Sequence, residues 1–209
     1  ISPIKGIEEE IQILKDEQKP VIFFDRNLPA LNTNYVGANH FEASYQAIES
    51  FIKQGKRNIA LVTTDIDVQQ IAERFEGYKK ALTDYALPFN EDLVLQIPFK
   101  QDEAVTIEQL IDLFKNTSVD AVLFATNYLT ISGLKALKQI NKKLDDQFAI
   151  IGYDDHEAFE LHTPGISTIQ QPLEEIAETI IKLILNQLTS KTKLPDQQII
   201  IPAKLIIRN

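Results

Sequence analysis

Two polar side chains follow apolar runs at positions where they could bind a small molecule. Asn127 comes after the run from Ala121 to Ala125, and Asp154 comes after the run from Phe148 to Gly152. Amide and carboxylate groups both hydrogen-bond to ligand hydroxyls and amines. The helical stretch between the two runs permits parallel strands, because a parallel pair needs a crossover connection. Both side chains would then emerge at the carboxyl edge of one sheet, where open α/β sheets bind ligands.

Paired carboxylates occur twice in the chain, and the two pairs have different surroundings. The pair Asp145-Asp146 stands close to Lys142 and Lys143, and this composition predicts a solvated turn. The pair Asp154-Asp155 closes an apolar strand instead. A polar residue in a loop that a rigid strand positions is the better candidate for binding, so we favour the second pair.

Motifs that would indicate catalysis are absent from the sequence. There is no cysteine, which excludes thiolate nucleophiles, disulfides and cysteine-ligated metals. The glycines do not form GxGxxG or a phosphate loop, no serine lies in GxSxG, and the histidines lack HExxH spacing. The sequence therefore predicts no enzyme activity, no cofactor and no metal ion.

The charge balance limits the partners that this chain can bind directly. Thirty acidic residues against 21 basic ones give a formal net charge of −9, and no Lys/Arg cluster interrupts this excess. Phosphate backbones would be repelled on average, so these residues are a poor candidate for gripping nucleic acid by themselves. No apolar run approaches the roughly 20 residues that span a bilayer.

Helical and strand patterns alternate along the chain. Apolar residues at helical spacing predict helices within residues 4–14, 43–52, 68–85, 107–114 and 173–188. Short apolar runs predict strands at residues 21–24, 59–62, 93–97, 121–125, 148–152, 199–201 and 205–207. We predict irregular structure at residues 29–34, 126–128 and 156–165. The alternation predicts an α/β fold with parallel sheets covered by helices on both faces.

Seven stretches, in order, resemble the effector-binding region of the LacI/GalR family of bacterial transcriptional regulators, and together they span essentially the whole chain. They are PVIFFDR (20–26), GKRNIA (55–60), ERFEGY (73–78), ATN (125–127), IGYDD (151–155), STIQQP (167–172) and IPAKLIIR (201–208). Each stretch alone is weak, but seven in the right order and spacing are specific.

The resemblance implies two Rossmann-like lobes of the type I periplasmic-binding-protein kind that close on a small effector. It places residues 1–37 and 164–195 in an incomplete N-terminal lobe and residues 38–163 and 196–209 in the C-terminal lobe. It also implies a cytoplasmic homodimer that binds operator DNA through a helix-turn-helix preceding this chain. A homologous fold serves periplasmic sugar-binding proteins of transporters, which is the alternative function.

The resemblance carries over six candidate effector contacts, in the positions Asp25, Arg74, Phe99, Asn127, Asp154 and Gln171. Arg74 would grip hydroxyls or a carboxylate with its planar fork, and Phe99 would stack on a sugar face. A carbohydrate is therefore the expected effector, with purines and other small polar metabolites left open.

Each candidate also has a plainer interpretation. Arg74 could be an exposed residue of an amphipathic helix, because the apolar stripe includes Phe75 and not Arg74. Asn127 could cap a helix, and Asp154 could be a turn carboxylate. Similarly, Phe99 could belong to the core and Gln171 could bond the hinge backbone.

The sequence departs from the family pattern in two places near the expected cleft. Tyr128 stands where family members commonly have Asp, and Ala38-Asn39 stands where they commonly have Asp-Asn. The identity of the effector therefore cannot be carried over from the family.

Overall fold

A computed structural model describes residues 1–145, 147–190, 192 and 194–208. Asp146, predicted in a solvated turn, and Asn209, the last residue of the predicted C-terminal lobe, lie outside the described residues. The helices are α1 (Glu8–Asp16), α2 (His40–Lys53), α3 (Gln69–Asp84), α4 (Glu103–Asn116), α5 (Asn127–Gln139), α6 (Glu157–Leu161) and α7 (Leu173–Thr189). The strands are β1 (Ile22–Phe24), β2 (Asn34–Ala38), β3 (Ile59–Thr64), β4 (Val94–Ile97), β5 (Ala121–Phe124), β6 (Ala149–Tyr153), β7 (Ser167–Gln170), β8 (Gln198–Ile201) and β9 (Lys204–Ile206).

The chain divides into two units with boundaries that differ from the predicted ones. Unit 1 contains residues 1–39 and 172–203, and unit 2 contains residues 40–171 and 204–209. Residues 164–171, predicted in the N-terminal lobe, lie in unit 2, whereas residues 38–39 and 196–203, predicted in the C-terminal lobe, lie in unit 1. The reason is strand pairing: β7 pairs with β6 and β9 of unit 2, whereas β8 pairs with β2 of unit 1. Sequence periodicity shows that a strand exists but not which sheet it joins.

Unit 1 is a parallel sheet in the order β1-β2-β8 with apolar residues on both faces. Side chains alternate across a strand. Accordingly, Phe23 packs with Ile11 of α1, whereas its neighbour Ile22 packs with Ile176 and Leu183 of α7. Both helices predicted for this region are confirmed, although α1 begins four residues later than its apolar pattern does.

Unit 2 contains a six-stranded sheet in the order β4-β3-β5-β6-β7-β9. All neighbouring strands are parallel except β9, which runs antiparallel to β7. The predicted parallel sheet is therefore confirmed, with an antiparallel strand at this edge. Strands β3, β5 and β6 are buried throughout, as expected for parallel strands covered by helices on both faces.

The two faces of the unit 2 sheet carry different helices. Val122 and Phe124 of β5 pack in one apolar cluster with side chains of α4 and α5. Helices α2 and α3 pack closely against each other, because Gly77 of α3 lies so near to Phe41 that an added Cβ would stand 2.2 Å from the Phe41 carbonyl oxygen. The Tyr78 hydroxyl donates to the Ile59 carbonyl at 2.9 Å and attaches α3 to β3.

Several local predictions were corrected or confirmed. Residues 34–38 form strand β2, which the sequence did not predict and of which only Asn34 falls in the range expected to be irregular, and a short helix, α6, forms after Asp155. Asn127 is already the first residue of α5 rather than part of a polar break. Gly55 has φ +88°, as expected for a left-handed residue that ends a helix. Among the described residues, no helix is both long enough and apolar enough to cross a bilayer.

A bidentate ion pair attaches the C-terminal segment to the sheet of unit 2. Both guanidinium Nη atoms of Arg208 donate to the two carboxylate oxygens of Asp155 at 2.8 Å. Thr168 Oγ1 also donates to Asp155, at 2.9 Å, and Arg208 donates to the Ile166 carbonyl. The side chains are only 16% and 18% exposed. The hydrogen bonds from Arg208 lower the pKa of Asp155.

We expect R208M to lower the free energy of unfolding at pH 7 by about 2 kcal/mol, because it leaves a largely buried carboxylate without its partner. The matched control is K182M, which removes an exposed partner of Glu178 and should cost about 0.5 kcal/mol or less. Urea denaturation measures both changes. Equal losses would show that the Asp155 pair contributes no more than a surface pair.

The effect of R208M should also depend on pH. The folded-state pKa of Asp155 is lowered, so the pair contributes its full stability above the unfolded pKa of about 3.9. This contribution is lost as the pH falls through the lowered folded-state pKa. The difference between wild type and R208M should therefore shrink only in that acidic window.

Candidate ligand site

The strand order of unit 2 contains a topological switch point between β3 and β5. From β3 the chain passes through α3 to β4 on one side, and α4 then carries it back to β5 on the other side. The connection that leaves the carboxyl end of β3 therefore runs to β4 on one side, and the connection that leaves β5 runs to β6 on the other side. Ligands bind α/β sheets at such switch points, so the side chains at the ends of β3 and β5 are candidates for ligand contacts.

Arg74 of α3 lies at this switch point, and it is buried rather than exposed. Its side chain is only 6% exposed, so its interpretation as a solvated helix residue is wrong. Nη1 donates to the Ala125 carbonyl at the end of β5, at 2.6 Å. The Ser44 hydroxyl donates to the Arg74 carbonyl at 2.6 Å and holds the backbone of α3 against α2. The apolar stripe of α3 did not predict this burial, because Arg74 lies on the side of the helix that faces α2 and the edge of the sheet.

Two residues that the sequence did not single out surround the guanidinium group. The Arg74 Cζ atom lies 3.5 Å from the centroid of the Tyr153 ring, which is a close cation–π contact. His40 Nδ1 lies 3.3 Å from Arg74 Nη2 and 2.7 Å from the Tyr153 hydroxyl. His40 is the first residue of α2 and Tyr153 is the last residue of β6. Three elements thus bring one cation, one imidazole and one phenol together.

Burial determines which of these groups carries a charge. Burial, together with the positive charge of Arg74, lowers the pKa of His40 to about 3. Burial raises the pKa of Tyr153 to about 12. At neutral pH the imidazole and the phenol are therefore uncharged, and Arg74 is the only charged member of the cluster.

The cluster leaves hydrogen-bonding capacity unused. Within the described residues, the buried Nε of Arg74 has no hydrogen-bond partner, and neither do the buried hydroxyls of Thr63 and Thr64 at the end of β3. Ala125 donates its N–H to the Val62 carbonyl, and its own carbonyl accepts from Arg74. Thr63 is the residue after Val62, so it lies close to Ala125. No carboxylate of the described residues forms an ion pair with Arg74. Buried polar groups without partners are uncommon, so these three atoms distinguish the switch point from the rest of the core.

Asp154 and Gln171, two of the predicted residues, bond to each other. Asp154 follows β6 with φ +62°, and its carboxylate accepts a hydrogen bond from the side-chain amide of Gln171. The negative charge of Asp154 contributes to the raised pKa of Tyr153, so Arg74 and Asp154 both act on the same phenol. Gln171 therefore bonds a side chain, and not the hinge backbone as its plainer interpretation proposed.

Asn127 is half-buried at the start of α5, but it is not the helix cap. Thr126 is the N-cap, and its hydroxyl accepts the N–H of Leu129. Asn127 follows two residues after Ala125, whose carbonyl accepts from Arg74. The helix-cap interpretation of Asn127 is therefore wrong.

Phe99 lies away from the core and beside a hollow of about 300 Å³ that Tyr128 also lines. Its ring is 48% exposed, so its interpretation as a core residue is wrong. The Phe99 N–H donates to Asp65 at 2.8 Å, which places Phe99 just beyond the end of β4. An exposed ring at a carboxyl edge remains compatible with stacking on a ligand.

Asp25 belongs to unit 1 and is described there by itself. It follows β1, as predicted, and is exposed with φ +60°. Ser2 Oγ donates to its carboxylate at 3.2 Å, and Tyr35 donates to its carbonyl at 3.1 Å.

The sequence contained weak signals for the residues that were missed. Tyr153 is a polar aromatic at the end of an otherwise apolar strand, and His40 follows the altered Ala38-Asn39 pair. Neither residue belongs to a motif, and 113 positions separate them. Within the described part of the chain, no group of three or more His, Asp or Glu side chains could hold a metal ion.

The fold and these groups define a ligand-binding α/β protein of two units, with polar side chains at the carboxyl edge of one sheet. A family model described as "Periplasmic binding protein-like domain" matches residues 48–209. The match covers more than half of the chain, so the chain belongs to this family.

Named relatives agree with this assignment. The chain is 26% identical over 200 residues to "HTH-type transcriptional regulator CelR" of Thermobifida fusca, covering 94% of this chain and 58% of that protein. It is also 26% identical over 192 residues to "HTH-type transcriptional repressor PurR" of Haemophilus influenzae, covering 90% and 56%. The solved "transcriptional regulator CelR-cellobiose complex" has a TM-score of 0.81 at 25% identity, covering 95% of this chain and 61% of the other. The chain thus spans little more than half the length of these curated relatives.

The bond between Asp154 and Gln171 can be tested through stability. D154A should lower the free energy of unfolding by about 2 kcal/mol, because Ala disfavours a positive φ and cannot accept the amide. D154N should change it by about 0.5 kcal/mol or less, because Asn tolerates the left-handed backbone and still accepts through Oδ1.

The matched control is N141A, at another residue with positive φ (+53°). N141A should lower the free energy of unfolding by about 1 kcal/mol, because it loses only the greater tolerance of Asn than of Ala for a positive φ. Chemical denaturation of the three variants measures these differences. If D154N lost as much stability as D154A, the carboxylate charge rather than the hydrogen bond would be responsible.

Proposed function

We propose that this chain senses a small polar effector, most readily a sugar, and that the protein containing it is a DNA-binding transcriptional regulator. The effector would contact Arg74, Phe99, Asn127, Asp154 and Gln171 of unit 2, and the family resemblance adds Asp25 as a further candidate contact. Effector binding would favour one conformation of the regulator and so change its affinity for operator DNA, because a ligand shifts an equilibrium by its differential affinity for the two states.

The observation that carries this proposal is the buried Arg74. Its guanidinium group lies at the switch point with an unpartnered Nε and without a carboxylate partner among the described residues. A buried charge is costly unless it is paired or hydrogen-bonded. A ligand that brings an acceptor to this edge of the sheet would therefore meet a positive charge that no carboxylate of the described residues cancels.

The chemistry of the surrounding residues favours a carbohydrate. Asp154 and Asn127 offer acceptors and an amide for ligand hydroxyls, and Phe99 offers an exposed ring for a sugar face. The solved relative whose name includes cellobiose supports the same class. Purines and other small polar metabolites are the competing effectors, since their acceptors also suit an arginine.

The other parts of the proposal concern the protein as a whole. The relatives are named HTH-type regulators, and this supports operator DNA as a partner through a helix-turn-helix outside the 209 residues. We further propose a cytoplasmic homodimer without enzyme activity. The net charge of −9 supports a division of labour in which these residues bind effector and another segment binds DNA.

A periplasmic sugar-binding protein of a transporter was the alternative function. The matched relatives are named as transcriptional regulators, which favours the regulator. No observation on the described residues favours the transporter.

The effector can be sought by calorimetry with cellobiose, ribose, other sugars and nucleobases at millimolar concentration. For a compound that binds, R74M should weaken affinity by about tenfold to a hundredfold, because a hydrogen bond to a charged group contributes about 1.5–3 kcal/mol.

The matched control is K80M, which removes an exposed cation from the same helix and should leave affinity within about twofold. If R74M bound as tightly as wild type, Arg74 would not contact the effector. If no compound bound, the sugar-type site would be in doubt.

Operator binding needs the full-length protein. We expect it to bind a DNA fragment from the promoter region of its own gene in a gel-shift assay, and the compound identified above to change that affinity at least about fivefold. Absence of DNA binding with and without effector would contradict the regulatory part of the proposal.

A further inference from the structure

The imidazole of His40 is placed to control the guanidinium group of Arg74. Its Nδ1 atom faces two groups at once, the Tyr153 hydroxyl at 2.7 Å and Arg74 Nη2 at 3.3 Å. His40 is 1% exposed and Tyr153 is fully buried, so water does not compete for these bonds. This contact is separate from the bond that Arg74 makes to the Ala125 carbonyl.

The partners of Nδ1 determine where the imidazole carries its proton. A guanidinium group has only donors and no acceptor, so a proton on Nδ1 would face the Arg74 Nη2 hydrogens. Nδ1 must therefore accept, and the ring proton lies on Nε2. The Tyr153 hydroxyl donates to the same nitrogen.

Electrostatics maintain this neutral form. Burial and the positive charge of Arg74 lower the pKa of His40 to about 3. Tyr153 faces His40 as a neutral phenol, and the more distant carboxylates of Asp154 and Glu73 act on Tyr153. His40 is therefore not a pH sensor near neutrality but a permanent hydrogen-bond acceptor.

We propose that His40 is a positioning residue of the effector site, which holds the guanidinium group of Arg74 flat against the Tyr153 ring and keeps its Nε–H buried. This inference rests on the proposed effector site. Nη1 is bonded to Ala125 and Nη2 to His40, so rotation of the fork is restrained at both ends. Nε is the nitrogen without a partner.

The choice of an imidazole has a consequence for specificity. A carboxylate at position 40 would form an ion pair with Arg74 and cancel its positive charge. A neutral imidazole orients the fork through one hydrogen bond and leaves the positive charge available. A ligand at the effector site would therefore meet an uncancelled positive charge, which favours a strong acceptor such as a carboxylate, a phosphate oxygen or a hydroxyl oxygen.

The test compares H40N and H40L in the full-length protein. Asn can place its side-chain oxygen near the position of Nδ1 and keeps an acceptor, whereas Leu has similar bulk and no acceptor. Protein labelled with ¹⁵N in Arg and His reports on the Arg74 Nε–H and on the His40 tautomer by NMR, with R74M and H40N assigning the two signals.

In the wild type we expect a proton on Nε2 of His40 throughout the range from about pH 5 to 8, where an ordinary histidine titrates. We expect a resolved Arg74 Nε–H signal that exchanges slowly with water. H40L should raise its exchange rate about tenfold, the factor that corresponds to about 1.4 kcal/mol. H40N should keep the rate within about threefold of wild type, a difference below 1 kcal/mol.

Two results would overturn the inference. One is a His40 proton on Nδ1, which wild-type protein reveals even if a variant does not fold. The other is an Arg74 Nε–H that exchanges equally in wild type, H40N and H40L, which would make His40 a plain core residue. Because this readout needs no effector, its failure is distinguishable from a failure of the sugar panel.

Discussion

The structure of unit 2 depends on the burial of one positive charge. Arg74 is almost excluded from water, and removing a guanidinium group from water costs several kcal/mol unless other groups replace its hydration. The replacements are the Ala125 carbonyl, the neutral imidazole of His40 and the face of the Tyr153 ring. All three are uncharged, so they reduce the cost of burial without cancelling the charge. This is the property that a site for an acceptor-rich ligand requires.

The fold delivers these groups because of how α2 and α3 pack on the sheet. Gly77 allows the backbones of the two helices to approach closely, and the Tyr78 hydroxyl attaches α3 to β3. The guanidinium group therefore lies over the end of β5, where the strand order changes direction. Loosening the contact between α2 and α3 would move Arg74 away from His40. Helix packing and ligand chemistry are consequently not separable in this unit.

The candidate site also includes a residue at a unit boundary. Gln171, which bonds Asp154, is the last residue of unit 2 before the chain enters unit 1, and His40 is the first residue of unit 2. Gln171 and His40 thus lie where the chain passes from one unit to the other. Gln171 bonds to Asp154 and His40 to Arg74, and both partners are expected to contact the effector.

The sequence predicted the local elements well, because hydrophobic periodicity reflects which face of each element is buried. It was least reliable where neighbours decide, as for β2 and β7, which were not predicted as strands, and for β8, which was expected in the other lobe. Strand pairing depends on partners distant in sequence, and no local pattern encodes it.

The sequence by itself determined the alternating α/β plan, the polar residues at strand ends, and the family through seven ordered stretches. Only the tertiary structure decided that Arg74 is buried, that Thr126 rather than Asn127 caps α5, and that Asp154 is held by Gln171. It also revealed His40 and Tyr153, which are 113 positions apart and have no shared motif. The physical reason is that hydrogen-bond partners and burial are properties of three-dimensional neighbours, whereas spacing along the chain reports only the face of one helix or strand.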